Sequence, residues 1–153
     1  MPAVRDPLPR PSGHTLEFMQ TLWELSHALQ VASKRMARTL GVTGPQRLVL
    51  RVVGQVPGIA ARDLASALGL HPSTLTGVLD RLEKQKLLVR TVDPTDRRRA
   101  RFELTAKGKG VDAARKGTVE AAVKRGLARA TPATVAGTRR MLGLLVAELD
   151  RLD

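Results

Sequence analysis

The densest chemistry in the chain lies at Asp93-Pro-Thr-Asp-Arg-Arg-Arg-Ala-Arg101, where four arginines (Arg97, Arg98, Arg99 and Arg101) fall within five positions. Three consecutive guanidinium side chains on a turn cannot all be buried. The segment is therefore a solvated cation cluster, and its natural partner is phosphate or the negative potential of a narrow minor groove. Asp96 precedes Arg98 by two residues and is expected to hold its guanidinium in a defined fork. A second segment, Ala61 to Arg81, has the pattern of a helix-turn-helix. Ala65 is the small residue at the helix crossing, Gly69 lies in the turn, and Leu64, Leu68, Leu70, Leu75, Val78 and Leu79 form the apolar set. The second helix would expose Ser73, Thr74, Thr76, Gly77 and Arg81. Short polar groups, a gap and an arginine suit a helix lying in a major groove. An ordinary helical hairpin could carry the same polar face toward solvent, and an ordinary loop could carry the same arginines. Their adjacency favours DNA.

Other chemistries find little support. His14, His27 and His71 have no carboxylate or HxxxH spacing around them, and the chain has no cysteine, so neither a metal site nor a thiol sensor is expected. Ser73 lies in no nucleophile-elbow sequence, and the glycines form no phosphate loop. No enzyme activity or cofactor is expected. The net charge of +12, from 26 Lys and Arg against 14 Asp and Glu, will attract polyanions. Phe18, Trp23 and Phe102 are the only aromatic residues, too few for a platform that stacks single-stranded bases. Double-stranded DNA is thus the expected partner. A non-specific architectural DNA-binding protein is the alternative, and the lysine-poor face at Ser73, Thr74 and Thr76 argues against it.

The elements that must position these residues are mainly α, with a small β-wing. Phe18, Leu22, Leu25, Leu29, Ala32 and Met36 recur every three or four residues and predict one long helix from about Thr15 to Leu40, stopped by Gly41. Thr43 and Gln46 form a capping-box pattern for a second helix ending near Gln55, with Leu48, Val49, Val52 and Val53 as its buried face. Helices follow over about Ala60–Leu68 and Pro72–Gln85. Leu87 to Thr105 reads as a hairpin, with Ala100, Phe102 and Leu104 on one side and Arg101 and Glu103 on the other. Helix then resumes after Thr105 and runs to about Ala130, weakened by Gly108, Gly110, Gly117 and Gly126. Thr131-Pro132 opens the last helix, whose stripe of Val135, Thr138, Leu142, Leu145, Leu149 and Leu152 reaches the end of the sequence. An apolar stripe of that length suggests a partner helix in a second subunit. Residues 1–13 carry four prolines and no apolar core of a signal peptide, so they read as a flexible arm. No run approaches the roughly 18 apolar residues of a membrane span, and a cytoplasmic location is expected. The domain reading is the arm at 1–13, a helical dimerisation region at 14–40 plus 106–153, and a DNA-binding region at 41–105.

Leu87-Leu-Val-Arg90, with Asp93-Pro-Thr-Asp-Arg-Arg-Arg-Ala-Arg-Phe-Glu-Leu-Thr-Ala-Lys-Gly108, resembles the wing of MarR-family regulators. Pro72-Ser-Thr-Leu-Thr-Gly-Val-Leu-Asp-Arg-Leu-Glu83 resembles their recognition helix, and the helix order is similar from about residue 15 to 152. The resemblance implies a winged helix-turn-helix with long N- and C-terminal dimerisation helices. It implies a ligand-responsive regulator, usually a repressor, binding a palindromic operator as a homodimer. It further implies that Arg98 enters the minor groove, oriented by Asp96. It also implies a small anionic or phenolic effector held between the first, second and fifth helices, where Trp23, His27 and Arg47 are the candidates by position. Two positions depart from the family pattern: His71 replaces a better capping residue, and Ala60 caps the third helix poorly.

Overall fold

The computed structural model describes residues 13–152, so the arm expected at 1–13 lies outside the described residues except for Gly13. The described chain falls into two compact units, divided between residues 112 and 113.

The first unit opens with α1 (His14–Leu40), ended by Gly41 in the left-handed conformation that the missing Cβ allows. Helix α2 (Gly44–Gln55) begins with the capping box expected from Thr43 and Gln46: each side chain accepts the other's backbone N–H. Its buried face differs from expectation. Val49, Leu50 and Val53 are fully buried, while Leu48 is about half exposed. At 100° per residue Val49, Leu50 and Val53 share one arc and Leu48 points away from it.

A two-residue strand, β1 (Ile59–Ala60), precedes α3 (Ala61–Leu68) and was not foreseen. Ala60 offers no side-chain cap to α3, as expected, and instead takes part in the sheet. Gly69 ends α3 in the left-handed region, and α4 (Pro72–Lys84) follows. The hairpin consists of β2 (Leu88–Val92) and β3 (Ala100–Leu104), paired antiparallel from Leu88 opposite Leu104 to Val92 opposite Ala100. Strand β3 is central, with β1 on its other edge. The core joins Val49, Leu50 and Val53 of α2 to Leu64, Leu75, Leu79, Leu82, Leu88 and Phe102.

Helix α5 (Ala106–Ala113) is seated by Thr105. Its N–H donates to the Leu87 carbonyl, its hydroxyl donates to the Lys86 carbonyl, and it accepts from the Gly108 N–H. A Cβ at Gly108 would stand 2.0 Å from the Leu87 carbonyl oxygen. Only glycine allows this approach.

The second unit holds α6 (Val119–Leu127) and α7 (Pro132–Leu149). The single helix expected from Thr105 to Ala130 is thus broken over residues 114–118. Gly117 has φ +71°, and Thr118 then starts a new helix by accepting the Ala121 N–H. Thr131 caps α7 in the same way through Thr134. Among the described residues no helix is long and apolar enough to cross a membrane.

Candidate nucleic-acid interface

Helix α4 is amphipathic by arc. Leu75, Val78, Leu79 and Leu82 are buried, and Ser73, Thr74, Thr76, Gly77 and Arg81 all lie exposed on the opposite side. The structure therefore brings all five sequence-expected residues together on one accessible face. Asp80 and Lys84 share that face and were not singled out from the sequence. His71 does act as the N-cap: its Nδ1 accepts the Ser73 N–H at 3.4 Å and lies 2.8 Å from the Ser73 hydroxyl. The Thr76 hydroxyl donates to the Pro72 carbonyl at 2.9 Å, which leaves its oxygen as an outward acceptor.

The wing tip, residues 93–99, is built by short-range hydrogen bonds. Asp93 N–H donates to the Arg99 carbonyl and Arg99 N–H to the Asp96 carbonyl, both at 2.9 Å. Asp93 is buried, and its carboxylate accepts the Thr95 hydroxyl at 2.7 Å and the Thr95 N–H at 2.8 Å. Its other oxygen takes the Arg101 guanidinium at 2.8 Å. The Thr95 hydroxyl, the Thr95 N–H and Arg101 together hold the Asp93 carboxyl far below the usual carboxylate range, against the opposing effect of burial.

The arginines then divide by role. Arg101 is drawn back into the wing: besides Asp93 it donates to the Gly58 carbonyl at 3.1 Å, tying β3 to the turn before β1. Asp96 behaves differently from the expected fork. It accepts the backbone N–H of Arg98 at 3.0 Å, and its side-chain ion pair, 3.5 Å, is with Arg99. The two-residue spacing closes a tight turn and carries the Arg98 side chain away from the carboxylate. Arg97 and Arg98 are exposed, with no side-chain partner among the described residues.

Sequence reading missed Arg90. Its Nε donates to Glu83 at 2.8 Å, it lies 3.5 Å from Asp80, and its guanidinium sits 5.2 Å from the Phe102 ring centroid. It thereby joins α4 to the wing through a carboxylate and a cation–π contact. The signal was present only as a basic residue beginning the wing, because its partners are distant in sequence or across the sheet.

The three effector candidates are placed differently. Trp23 and His27 are exposed on α1. Arg47 is buried in α2 and donates to the carbonyls of Val111 and, at 3.3 Å, Asp112. Arg51 reinforces that seam through a 2.8 Å ion pair with Asp112. Among the described residues no group of three His, Asp or Glu side chains is arranged to hold a metal.

Comparison with known proteins matches this architecture. The sequence model of the MarR family matches residues 40–99. The HTH-type transcriptional repressor Mb2911 of Mycobacterium bovis is 32% identical over 103 residues, 67% of this chain and 74% of that protein. Staphylococcus aureus MepR, solved as a DNA complex, superposes with TM-score 0.72 at 22% identity, covering 86% of this chain and 97% of that one. A MepR-like protein solved with pseudoligands gives TM-score 0.71 at 26% identity, covering 87% and 94%. A winged helix-turn-helix core, an arginine-rich wing and a relative of this identity and coverage lead to one conclusion: the chain belongs to the MarR family of DNA-binding transcriptional regulators, which are not enzymes.

Proposed function

We propose that this regulator is a repressor that binds a palindromic operator as a homodimer and responds to a small anionic or phenolic effector. Each protomer lays α4 in a major groove, with Ser73, Thr74, Thr76, Gly77 and Arg81 toward the base edges. Its wing tip follows the flanking minor groove, Arg98 foremost and Arg97 and Arg99 beside it. Asp96 shapes the turn, and Arg101 steadies the wing from behind. The observation that carries this reading is the exposed polar arc of α4, opposite a fully buried seam and joined through Arg90 to a tip with unpaired guanidinium groups.

Dimerisation is supported by apolar faces that a single chain leaves uncovered. Phe18, Leu25 and Leu29 of α1 and Met141, Leu144 and Leu149 of α7 are all at least about two-fifths exposed. Residues 14–40 and 106–153 supply the dimer surface, and residues 41–105 supply the reading head. The repressor sign follows the name of the Mycobacterium bovis relative, and the effector follows the MepR-like structure with pseudoligands. A ligand that took Arg47 as its anchor would compete for the hydrogen bonds that hold the end of α5 to α2, and so would couple to the reading head. The regulator acts in the cytoplasm, beside its DNA.

Selection of bound duplexes from a random pool tests the proposal, followed by repetition with small aromatic carboxylates and phenols. The expected result is a two-fold motif with half-site centres roughly 10 base pairs apart, released by one class of these compounds. Equal affinity for every duplex would instead support architectural binding.

A further inference from the structure

Helix α5 is weak on local grounds. It has eight residues, among them Gly108 and Gly110, and no acid in its first turn. A helix this short is marginal in water even when built of good formers, and each internal glycine weakens it further. Asp112 adds a negative charge at the negative end of the helix dipole. Thr105 and Gly108 hold the start of α5 against Leu87. Its end is held from outside, by α2.

Arg47, Arg51 and Gly54 are spaced four and three apart on α2, and so share one face. All three converge on the end of α5. Arg47 is 2% exposed and donates to the carbonyls of Val111 and, at 3.3 Å, Asp112. Arg51 donates to the Asp112 carbonyl at 3.4 Å and pairs with its carboxylate at 2.8 Å. A Cβ at Gly54 would stand 2.8 Å from that carboxylate, so the glycine leaves room for it. The last carbonyls of a helix have no partner within it, and a buried guanidinium is costly unless it is engaged. Each satisfies the other here. The chain leaves the first unit at this same point, between residues 112 and 113.

We propose that, in the homodimer of the proposed function, this clasp sets the half-site spacing that the regulator accepts. With the end of α5 seated on α2, the tether from the reading head to the second unit begins at residue 113. Released, α5 would fray toward Gly110 and Gly108. Each freed residue can span about 3.3–3.6 Å, in place of the roughly 1.5 Å it rises in a helix. A longer tether lets two linked heads tolerate more separations, and it lowers their effective concentration at the proper one. Arg51 acts through α5, as a positioning residue.

The test uses the full chain as parent, Arg51→Met and Gly54→Ala. Arg51→Met removes the accessible part of the clasp and leaves buried Arg47 in place, whereas Gly54→Ala displaces the Asp112 carboxylate. Each protein is titrated with a single half-site of the selected motif. It is also titrated with paired half-sites whose centres are moved in single steps from roughly 10 base pairs. Hydrogen exchange is followed at the amides of residues 110–113. Both variants should bind the single half-site as the parent does, but the proper spacing roughly tenfold more weakly, with a flatter dependence on spacing. Exchange at 110–113 should quicken while the amides of α4 keep their protection. Faster exchange with the parental spacing profile would overturn the role in spacing. Unchanged exchange would show that α5 holds itself, and would overturn the clasp. An equal loss on the single half-site would show that Arg51 and Gly54 serve only the fold of the reading head, which also overturns it. A parent with no preferred spacing would overturn the homodimer reading itself.

Discussion

Arg98 and Arg101 lie three positions apart on the same basic segment, yet they meet different surroundings. Arg101 is held by buried Asp93 and the Gly58 carbonyl, whereas Arg98 has only its backbone N–H engaged, by Asp96. Arg98→Ala should therefore weaken operator binding roughly tenfold and lower the slope of log affinity against log salt by about 1, measured by titration across salt concentrations. Arg101→Ala should act through the fold, lowering Tm as well as affinity. Asp93 makes the fold sensitive to acid. Its carboxyl is held far below the ordinary range, so the folded state prefers the charged form. The stability this contributes is complete above about pH 4 and is lost as pH falls below it, since the unfolded chain takes up the proton first. Asp93→Asn should melt lower than the parent at pH 7, and the gap between them should narrow at pH 3. An unchanged gap would show that the Thr95 and Arg101 contacts do not depend on the charge.

At the scale of elements, the helices were legible wherever the signal was local. The capping box of α2, the glycine stops at Gly41 and Gly69, and the Thr-Pro start of α7 depend on residues within a turn of one another, and each appears as its residue types dictate. The alternation of Ala100, Phe102 and Leu104 against Arg101 and Glu103 also places the correct face of β3 inward. Strand β1 was not legible, because two residues carry no periodicity and are strands only by pairing with Phe102 and Arg101. The break between α5 and α6 had its glycine in view, but the positive φ at Gly117 and the cap at Thr118 chose the site among several glycines. The junction of hairpin and α5 depends on Gly108. Gly108→Ala would force a methyl against the Leu87 carbonyl and should cost about 1–3 kcal/mol, read from chemical denaturation. The same change at the exposed lysine next to it, Lys109→Ala, should cost far less.

At the scale of the whole molecule, apolar side chains of α1 and α7 lie exposed, and under the proposed function a second copy covers them. A Leu144→Glu, Leu149→Glu double variant should sediment as a smaller species than the parent and lose most of its operator affinity, because two linked heads bind far more tightly than one. Parental sedimentation would place the dimer contact elsewhere. Helix order, the polar arc of α4, the basic tip and the family resemblance were all readable from residue types at short spacing, since propensity, periodicity and charge are local properties. Which arginine points outward, which acid is buried and which glycine is indispensable were not readable. Arg90 over Phe102, Arg101 on Asp93 and Gly58, and Gly108 against Leu87 are contacts between strands or between a strand end and a helix. They depend on the sheet's register and on where α5 docks, and neither is set by neighbours along the chain. The basic wing is therefore two structures: an inner clasp through Arg101, and an outer pair, Arg97 and Arg98, left open to solvent.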